Sequence, residues 1–249
     1  MKEAKDLFSN QATNYAAYRP VYPDALYDFL FSITQRFDSA WDCGTGNGQV
    51  ANRLAEKFET VYATDLSEKQ IDNAIKKDNI IYKVTRAEHT DLPDDSVDLI
   101  TIGTALHWFD FDAFYMEVNR VAKPGAHIVA WAYAPFRSET AIDNILDNFV
   151  YNILGPYWDP ERKWVDEGYQ TIPFPFEEVP APPLNIKMER TLEQFIGFLH
   201  SWSSVQHYIN KNGADPVAII LADLKGHWQQ GETKQLVFPL FIRAGKVNK

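Results

Sequence analysis

The sequence predicts a doubly wound α/β fold built on a mostly parallel sheet, and three observations carry that expectation. From about residue 23 to residue 133, short β-rich runs alternate with stretches of helical periodicity, the pattern of repeated βα units. Several of the strand runs are apolar at consecutive positions, as strands covered by helices on both faces require. Directly behind the first of them, WDCGTGNGQV (41–50) sets three glycines at alternate positions, where backbone must come close to something.

In chain order the expected strands are SAWDC (39–43), TVYATD (60–65), IIYKVT (80–85), VDLITIG (97–103) and HIVAWAY (127–133). Val50, Leu54 and Phe58, spaced i, i+4, i+8, predict a helix after the first strand. Ser67, three residues before Gln70, predicts a capping box that opens the next helix into Ile71, Ala74 and Ile75. A further helix runs from about Asp112, with Phe114, Val118 and Val121 on one face, and KPG (123–125) stops it.

Beyond residue 133 the character changes. A helix is expected over 139–154, then a proline- and aromatic-rich stretch over 156–183, then LNIKMER (184–190) as a strand. Thr191 and Gln194 form a second capping box, Asp215 and Pro216 open another helix, and QLVFPLFIR (235–243) reads as a closing strand that extends the sheet antiparallel. Pro239 predicts an edge-exposed or bulged position within it. The organisation this implies is a single domain over 1–249. It comprises a cap segment (1–22), a core (23–133), a helical lid insertion (134–183), and the end of the core with further helical lid elements (184–249).

The chain has 249 residues, 45% of them hydrophobic, and a net charge of -10. It contains no apolar run near the roughly 20 residues of a membrane helix and no Lys/Arg cluster of the kind that neutralises phosphates. Nucleic-acid and membrane partners are therefore not expected. The single cysteine, Cys43, cannot form an intramolecular disulfide, and the first residues lack the apolar stretch of a signal peptide, which together predict a cytoplasmic protein. Cys43 has no histidine or other base nearby in sequence, so it reads as a small packing residue.

Three readings of the glycine stretch can be tested by spacing. A P-loop ends in Gly-Lys-Ser/Thr, but Gln49 follows Gly48 and no lysine occurs before Lys57. A dinucleotide fingerprint needs G-x-G-x-x-G, whereas Gly44, Gly46 and Gly48 are spaced G-x-G-x-G and Gln49 occupies the third glycine's place. The third reading is a nucleoside cofactor without phosphate, its ribose hydroxyls held by Asp65 at the end of the second strand. A carboxylate there repels a 2′-phosphate, yet does not separate NAD from S-adenosylmethionine.

The motifs WDCGTGNGQVANRLA, ATDLSEKQI, RAEHTDLPDDSVDLITIGTALHWFD and EVNRVAKPGAHIVAWAY, in this order, resemble the class I S-adenosylmethionine-dependent methyltransferases. Within them YAAYRPVYP (15–23) and ALHWFD resemble the methyltransferase type 11 group that includes trans-aconitate methyltransferase. The resemblance implies a Rossmann-like methyltransferase fold with a seven-stranded sheet and S-adenosyl-L-methionine as cofactor. It implies that Gly44, Thr45, Gly46 and Gly48 lie along that cofactor. Asp42 would sit near its amino group, Asp65 on the ribose, Leu66 and Ala87 on either face of adenine, and Glu88 at the adenine amine. Arg19 would hold the carboxylate, and Thr104 would complete the site. Arg86 stands where relatives often have an aspartate, and an arginine cannot accept from an amine. Each acidic residue also has a plainer role open to it: Asp42 as a brace of the loop, Asp65 as a helix cap, Glu88 as a solvated charge.

Methyl transfer from a sulfonium is an in-line displacement, favoured by alignment and by exclusion of water. A carboxylate acceptor needs no base, whereas an alcohol, phenol or carbon acid does. His107, just past the fourth strand, is the best-placed base, with Trp108 as a pocket floor and Tyr18 as a further substrate contact. The alternative for His107 is a packing role at the start of a short helix. The remaining histidines show no metal-ligand spacing, so no metal is expected. Trp158, Trp164, Trp202 and Tyr208, with Arg137, Arg162, Lys163 and Arg190 as carboxylate partners, suit a lid over a small methyl acceptor. Two rivals stay open on sequence alone: an NAD-dependent oxidoreductase, and a non-catalytic module that keeps the nucleoside site.

Overall fold

The computed structural model describes residues 20–249. Helix α1 (Asp24–Ile33) buries Leu26, Tyr27, Phe29 and Leu30 along one face. It is followed by β1 (Ser39–Cys43), α2 (Gln49–Leu54), β2 (Thr60–Asp65), α3 (Glu68–Asp72), β3 (Ile80–Val84) and β4 (Val97–Gly103). A 3-10 turn (Leu106–Trp108), α4 (Phe111–Val121) and β5 (Ala122–Tyr133) complete this half. The five strands are parallel in the order β3-β2-β1-β4-β5. Strand order therefore reverses between β1 and β4, and the crevice of an open α/β sheet lies at the carboxyl ends of those two strands.

The second half contributes α5 (Thr140–Asp147), which runs on into a π-helical turn (Asn148–Ile153), then α6 (Arg162–Asp166) and β6 (Glu177–Val179). After these come β7 (Leu184–Thr191), α7 (Leu192–His200), α8 (Ser203–Asn212), α9 (Val217–His227) and β8 (Thr233–Lys246). Strand β8 lies antiparallel to β5, with β7 on its first half and β6 against its end. Among the described residues the sheet has eight strands, the seven expected and β6. At three residues, Glu-Glu-Val, β6 is too short and too charged to show a strand pattern.

The apolar residues of the strands divide between two cores. Ala40, Leu99, Val129 and Trp131 face α1, α2 and the helices of the second half. Trp41, Ile100, Ile102, Ile128 and Ala130 face α4 and the 169–176 stretch. Burying all five positions of β1 and six of seven in β4 is why these runs place apolar residues at consecutive positions in sequence.

Two local expectations are refined. Pro239 is not bulged, and it is less simply placed than an edge strand implies: it pairs with Asn185 of β7 on one side, while its other side lies just past the end of β5 and is a local edge. Its carbonyl accepts from Ala134 N–H at 2.9 Å, just where β5 ends. In an antiparallel strand the N–H and C=O of one residue point the same way, so the missing donor of Pro239 faces the place where a partner strand has already stopped. The Ser67 capping box closes only by half. Ser67 Oγ accepts from Gln70 N–H at 3.3 Å, but the Ser67 N–H donates to Asp65 Oδ1 at 2.9 Å, leaving the Gln70 carboxamide without its reciprocal partner. The Thr191–Gln194 box closes on both sides.

Candidate functional site

The loop after β1 is a tight left-handed turn. Gly44 and Thr45 N–H both donate to the Thr64 carbonyl at 2.9 Å, and Gly46 N–H donates to Asp65 Oδ2 at 2.8 Å, so the end of β2 anchors the loop. Its three glycines, with φ of 69°, 55° and 79°, answer to different demands. A Cβ on Gly44 would stand 2.6 Å from Ala105 Cβ, and one on Gly48 would strike the Tyr82 hydroxyl. A Cβ on Gly46 would meet nothing within 4 Å, because this residue faces an open cleft. Tyr82 is itself pinned through its hydroxyl to the Ile75 carbonyl at 2.6 Å and cannot step aside freely. Gly48→Ala is therefore expected to destabilise the fold by about 1–3 kcal/mol, read as a lowered Tm in thermal unfolding.

Gln49 accounts for the departure from the dinucleotide spacing. Its Oε1 accepts from Tyr22 N–H at 3.2 Å and its Nε2 donates to the Pro20 carbonyl at 3.3 Å, so it fastens residues 20–22 across the loop. Tyr18 and Arg19, just upstream, lie outside the described residues.

The cleft has a volume of about 900 Å³ and lies along the carboxyl ends of β1, β2 and β4. Gly44, Gly46, Asp65, Leu66, Ala87, Glu88 and Thr104 line it together, which unites residues 60 positions apart in sequence. Gln70, not singled out from the sequence as a site residue, lines it too. Asp42, Thr45 and Gly48 stand behind this wall rather than in it. Asp42 is 1% exposed and braces the loop: Oδ2 accepts from Thr45 Oγ1 at 2.5 Å and Ala51 N–H at 3.1 Å, and Oδ1 accepts from Thr101 Oγ1 at 2.9 Å. Glu88 is held in place, accepting from Arg86 Nε at 3.2 Å and from Asp110 N–H at 3.0 Å.

Burial pushes the Asp42 carboxyl up to about 6, against the downward pull of its three hydrogen bonds. Between the ordinary value of 3.8 and about 6, the folded chain retains a proton that the unfolded chain has released. Stability contributed at this position therefore falls as pH rises through that window and stays lost above it. Measured by urea unfolding, Asp42→Asn is expected to gain about 2–3 kcal/mol on the wild type between pH 4 and pH 7. A stability difference that does not change with pH refutes this.

Thr104 stands at the mouth of the cleft with φ 59°, a left-handed conformation rare for a β-branched residue and a sign of strain held by its surroundings. Its N–H donates to the Trp131 carbonyl at 2.7 Å, and its hydroxyl meets the Tyr22 hydroxyl at 3.0 Å. Thr104 and Trp108 also line a second cavity of about 870 Å³, roofed by residues of the second half of the chain. Its wall is mostly aromatic, with Tyr133, Phe136, Trp158, Phe198, Trp202 and Phe238, and its polar members include His107, Asp159 and Arg162. Arg162 stacks on Trp158 at 4.0 Å and donates to Asp166 at 2.8 Å.

The other lid residues do not converge on this cavity. Trp164 packs on Phe111, Tyr208 on Tyr157, Arg137 pairs with Asp147, Arg190 donates to the Glu189 carbonyl, and Lys163 lies over Trp164.

His107 is buried, with Nδ1 2.7 Å from the Tyr169 hydroxyl. Tyr169 is wholly buried at φ 61°, and Arg243 Nη1 donates to its carbonyl and to that of Ile172, each at 3.0 Å. Burial pushes the Tyr169 phenol well above its ordinary value, so it meets the imidazole protonated. Tyr169 lies 62 residues beyond His107 in an irregular segment, where no sequence pattern marks it.

Residues 41–130 match the family described as a methyltransferase domain. Over 97% of its length the chain is 32% identical to a provisionally named methyltransferase of Dictyostelium discoideum, covering 95% of that protein. A solved structure from Anaeromyxobacter dehalogenans, described as a type II methyltransferase, superposes with a TM-score of 0.86 at 40% identity, covering 93% of this chain and 99% of that one. A phosphoethanolamine N-methyltransferase of Haemonchus contortus, solved with S-adenosylhomocysteine, shares the fold alone, at a TM-score of 0.51 and 14% identity over 97% of this chain and 58% of that one. By its likeness along almost its whole length to these methyltransferases, the chain belongs to the S-adenosylmethionine-dependent methyltransferases.

Proposed function

We propose that this methyltransferase acts on a small molecule, transferring the methyl group to a carboxylate or hydroxyl oxygen in the cavity beyond Thr104 and Trp108. The observation that carries the reading is the shared wall: a cofactor lying in the cleft can present its reactive end to the second cavity only past those two side chains. Bound there, S-adenosylmethionine supplies an electrophilic methyl group on a sulfonium. Gly44 and Gly46 give backbone close approach, Asp65 receives the ribose hydroxyls, and Leu66 and Ala87 enclose the base. Arg19 binds the carboxylate, while Asp42, Thr45 and Gly48 shape the loop from behind.

The chain's own residues then align and shield. Methyl transfer from a sulfonium dissipates charge, so an apolar, dry cavity favours it over a wet one. The aromatic wall formed by 134–183 and 184–249 acts as a lid, with Trp108 as its floor. Arg162 is already matched by Asp166, so this wall suits an apolar body with one carboxylate or hydroxyl better than a polyanion. His107, steadied through Nδ1 by Tyr169, takes the proton from a hydroxyl acceptor and is a bystander for a carboxylate. A cytoplasmic setting and a small-molecule partner accompany this reading.

The test is methyl transfer from methyl-labelled S-adenosylmethionine to separate sets of aromatic or aliphatic monocarboxylates, phenols, amines and tricarboxylates. Labelled ester or ether is the expected product. Turnover confined to amines or to tricarboxylates overturns the reading, and saturable binding of S-adenosylhomocysteine without turnover in any set supports a non-catalytic module instead.

A further inference from the structure

The half-closed capping box at Ser67 leaves a group with a use. Gln70 is 3% exposed, and its Oε1 is buried without a hydrogen-bond partner. A carboxamide oxygen sealed away from water and left unsatisfied costs about 1–3 kcal/mol. The ordinary way to satisfy it is the Ser67 N–H, as Gln194 does for Thr191. Here Asp65 Oδ1 has taken that donor, and Gln70 lines the cofactor cleft instead.

Sheet order says which end of the cofactor passes Gln70. The methyl group has to emerge at Thr104 and Trp108, where the cleft meets the second cavity at the end of β4. The nucleobase of an extended cofactor therefore lies at the opposite end, over β2 and β3, where the wall is Leu66, Gln70 and residues 85–88. The side-chain acceptors there are mostly committed. Both Glu88 oxygens accept from protein donors, and the Thr85 hydroxyl donates to the His89 carbonyl at 3.0 Å. Arg86 carries donors only. Among the described residues at that end, Gln70 Oε1 is a buried side-chain acceptor with no protein partner.

We propose that Gln70 recognises the adenine of the cofactor, its carboxamide turning about its last side-chain torsion so that the oxygen leaves its sealed position and accepts from the exocyclic amino group. A carboxamide is suited to adenine, which offers a donor beside a ring-nitrogen acceptor. The contact satisfies the buried oxygen on binding and supplies the acceptor that Arg86 cannot. It adds a determinant of base identity to a site otherwise built from apolar faces and a ribose-binding carboxylate.

The test reads cofactor binding alone, with no acceptor present, so it stands apart from the choice of methyl acceptor. S-adenosylhomocysteine and its 6-deamino purine analogue, which carries hydrogen in place of the amino group, are titrated calorimetrically into wild type, Gln70→Met and Gln70→Glu. Wild type is expected to prefer the adenine compound by about tenfold, for one lost hydrogen bond that strands a buried acceptor. Gln70→Met, similar in volume but without the acceptor, should bind the two compounds with nearly equal affinity. Gln70→Glu retains an acceptor oxygen and should keep the preference, which separates recognition from packing and covers the case in which the methionine variant folds poorly. An undiminished preference in Gln70→Met, or none in the wild type, overturns the assignment.

Discussion

Gly46→Asp abolishes cofactor binding in a chain that still folds. Its Cβ enters open space, so no protein atom is displaced, and the cost to stability is the left-handed backbone alone, about 1 kcal/mol for a residue such as aspartate that tolerates this region. The new side chain projects into the cleft and adds a carboxylate close to Asp65, whose Oδ2 already accepts from the Gly46 N–H. Bulk and repulsion together should weaken S-adenosylhomocysteine by more than about 100-fold, the size of about 2.7 kcal/mol. Titration calorimetry reads the loss, and a near-native Tm without ligand shows that the fold survives. Unimpaired binding would remove the glycine loop from the cofactor site. Gly48→Ala makes the opposite trade, because a Cβ at that glycine meets the Tyr82 hydroxyl.

His107→Gln lowers kcat by about 10²–10⁴-fold for a hydroxyl acceptor, the usual worth of a positioned general base. The glutamine keeps a polar group near Tyr169 and fills most of the imidazole's volume, so KM should change little. The same variant acting on a carboxylate acceptor should lose less than about tenfold, since no proton has to leave. Tyr169→Phe removes the hydroxyl 2.7 Å from Nδ1 without touching the cavity floor at Trp108. Its signature is a shifted limb in the pH profile of kcat with hydroxyl acceptors. Equal losses on both acceptor types would mean that His107 shapes the cavity and moves no proton.

Much of the framework was legible because local chemistry and tertiary need agree there. The central strands β1 and β4 carry apolar residues at consecutive positions since both their faces are covered, and Thr191 with Gln194 made the box that its pattern predicts. Legibility failed where one group could be claimed twice. Ser67 with Gln70 has the same spacing, but Asp65 lies close enough to take the Ser67 N–H, and spacing along a chain carries no record of such competition. Pro239 was legible as a residue whose missing donor meets no partner strand, but which side of β8 is open there depends on where β5 ends.

By itself the sequence determined the order of βα units, the glycine loop behind β1 and the acidic end of β2, and its run of motifs carried the resemblance that implied S-adenosylmethionine rather than NAD. These are short-range properties, set by residues a few positions apart and by hydrophobic periodicity. Only the tertiary structure decided which of the three glycines has open space before it, and that Asp42 braces the loop while Asp65 lines the cleft. It alone brought Tyr169 to His107 across 62 residues and sheltered an unsatisfied oxygen on Gln70. The physical reason is that burial and hydrogen-bond supply belong to the packed assembly: a side chain's role is fixed by which partners are left over once the backbone and its neighbours have taken theirs.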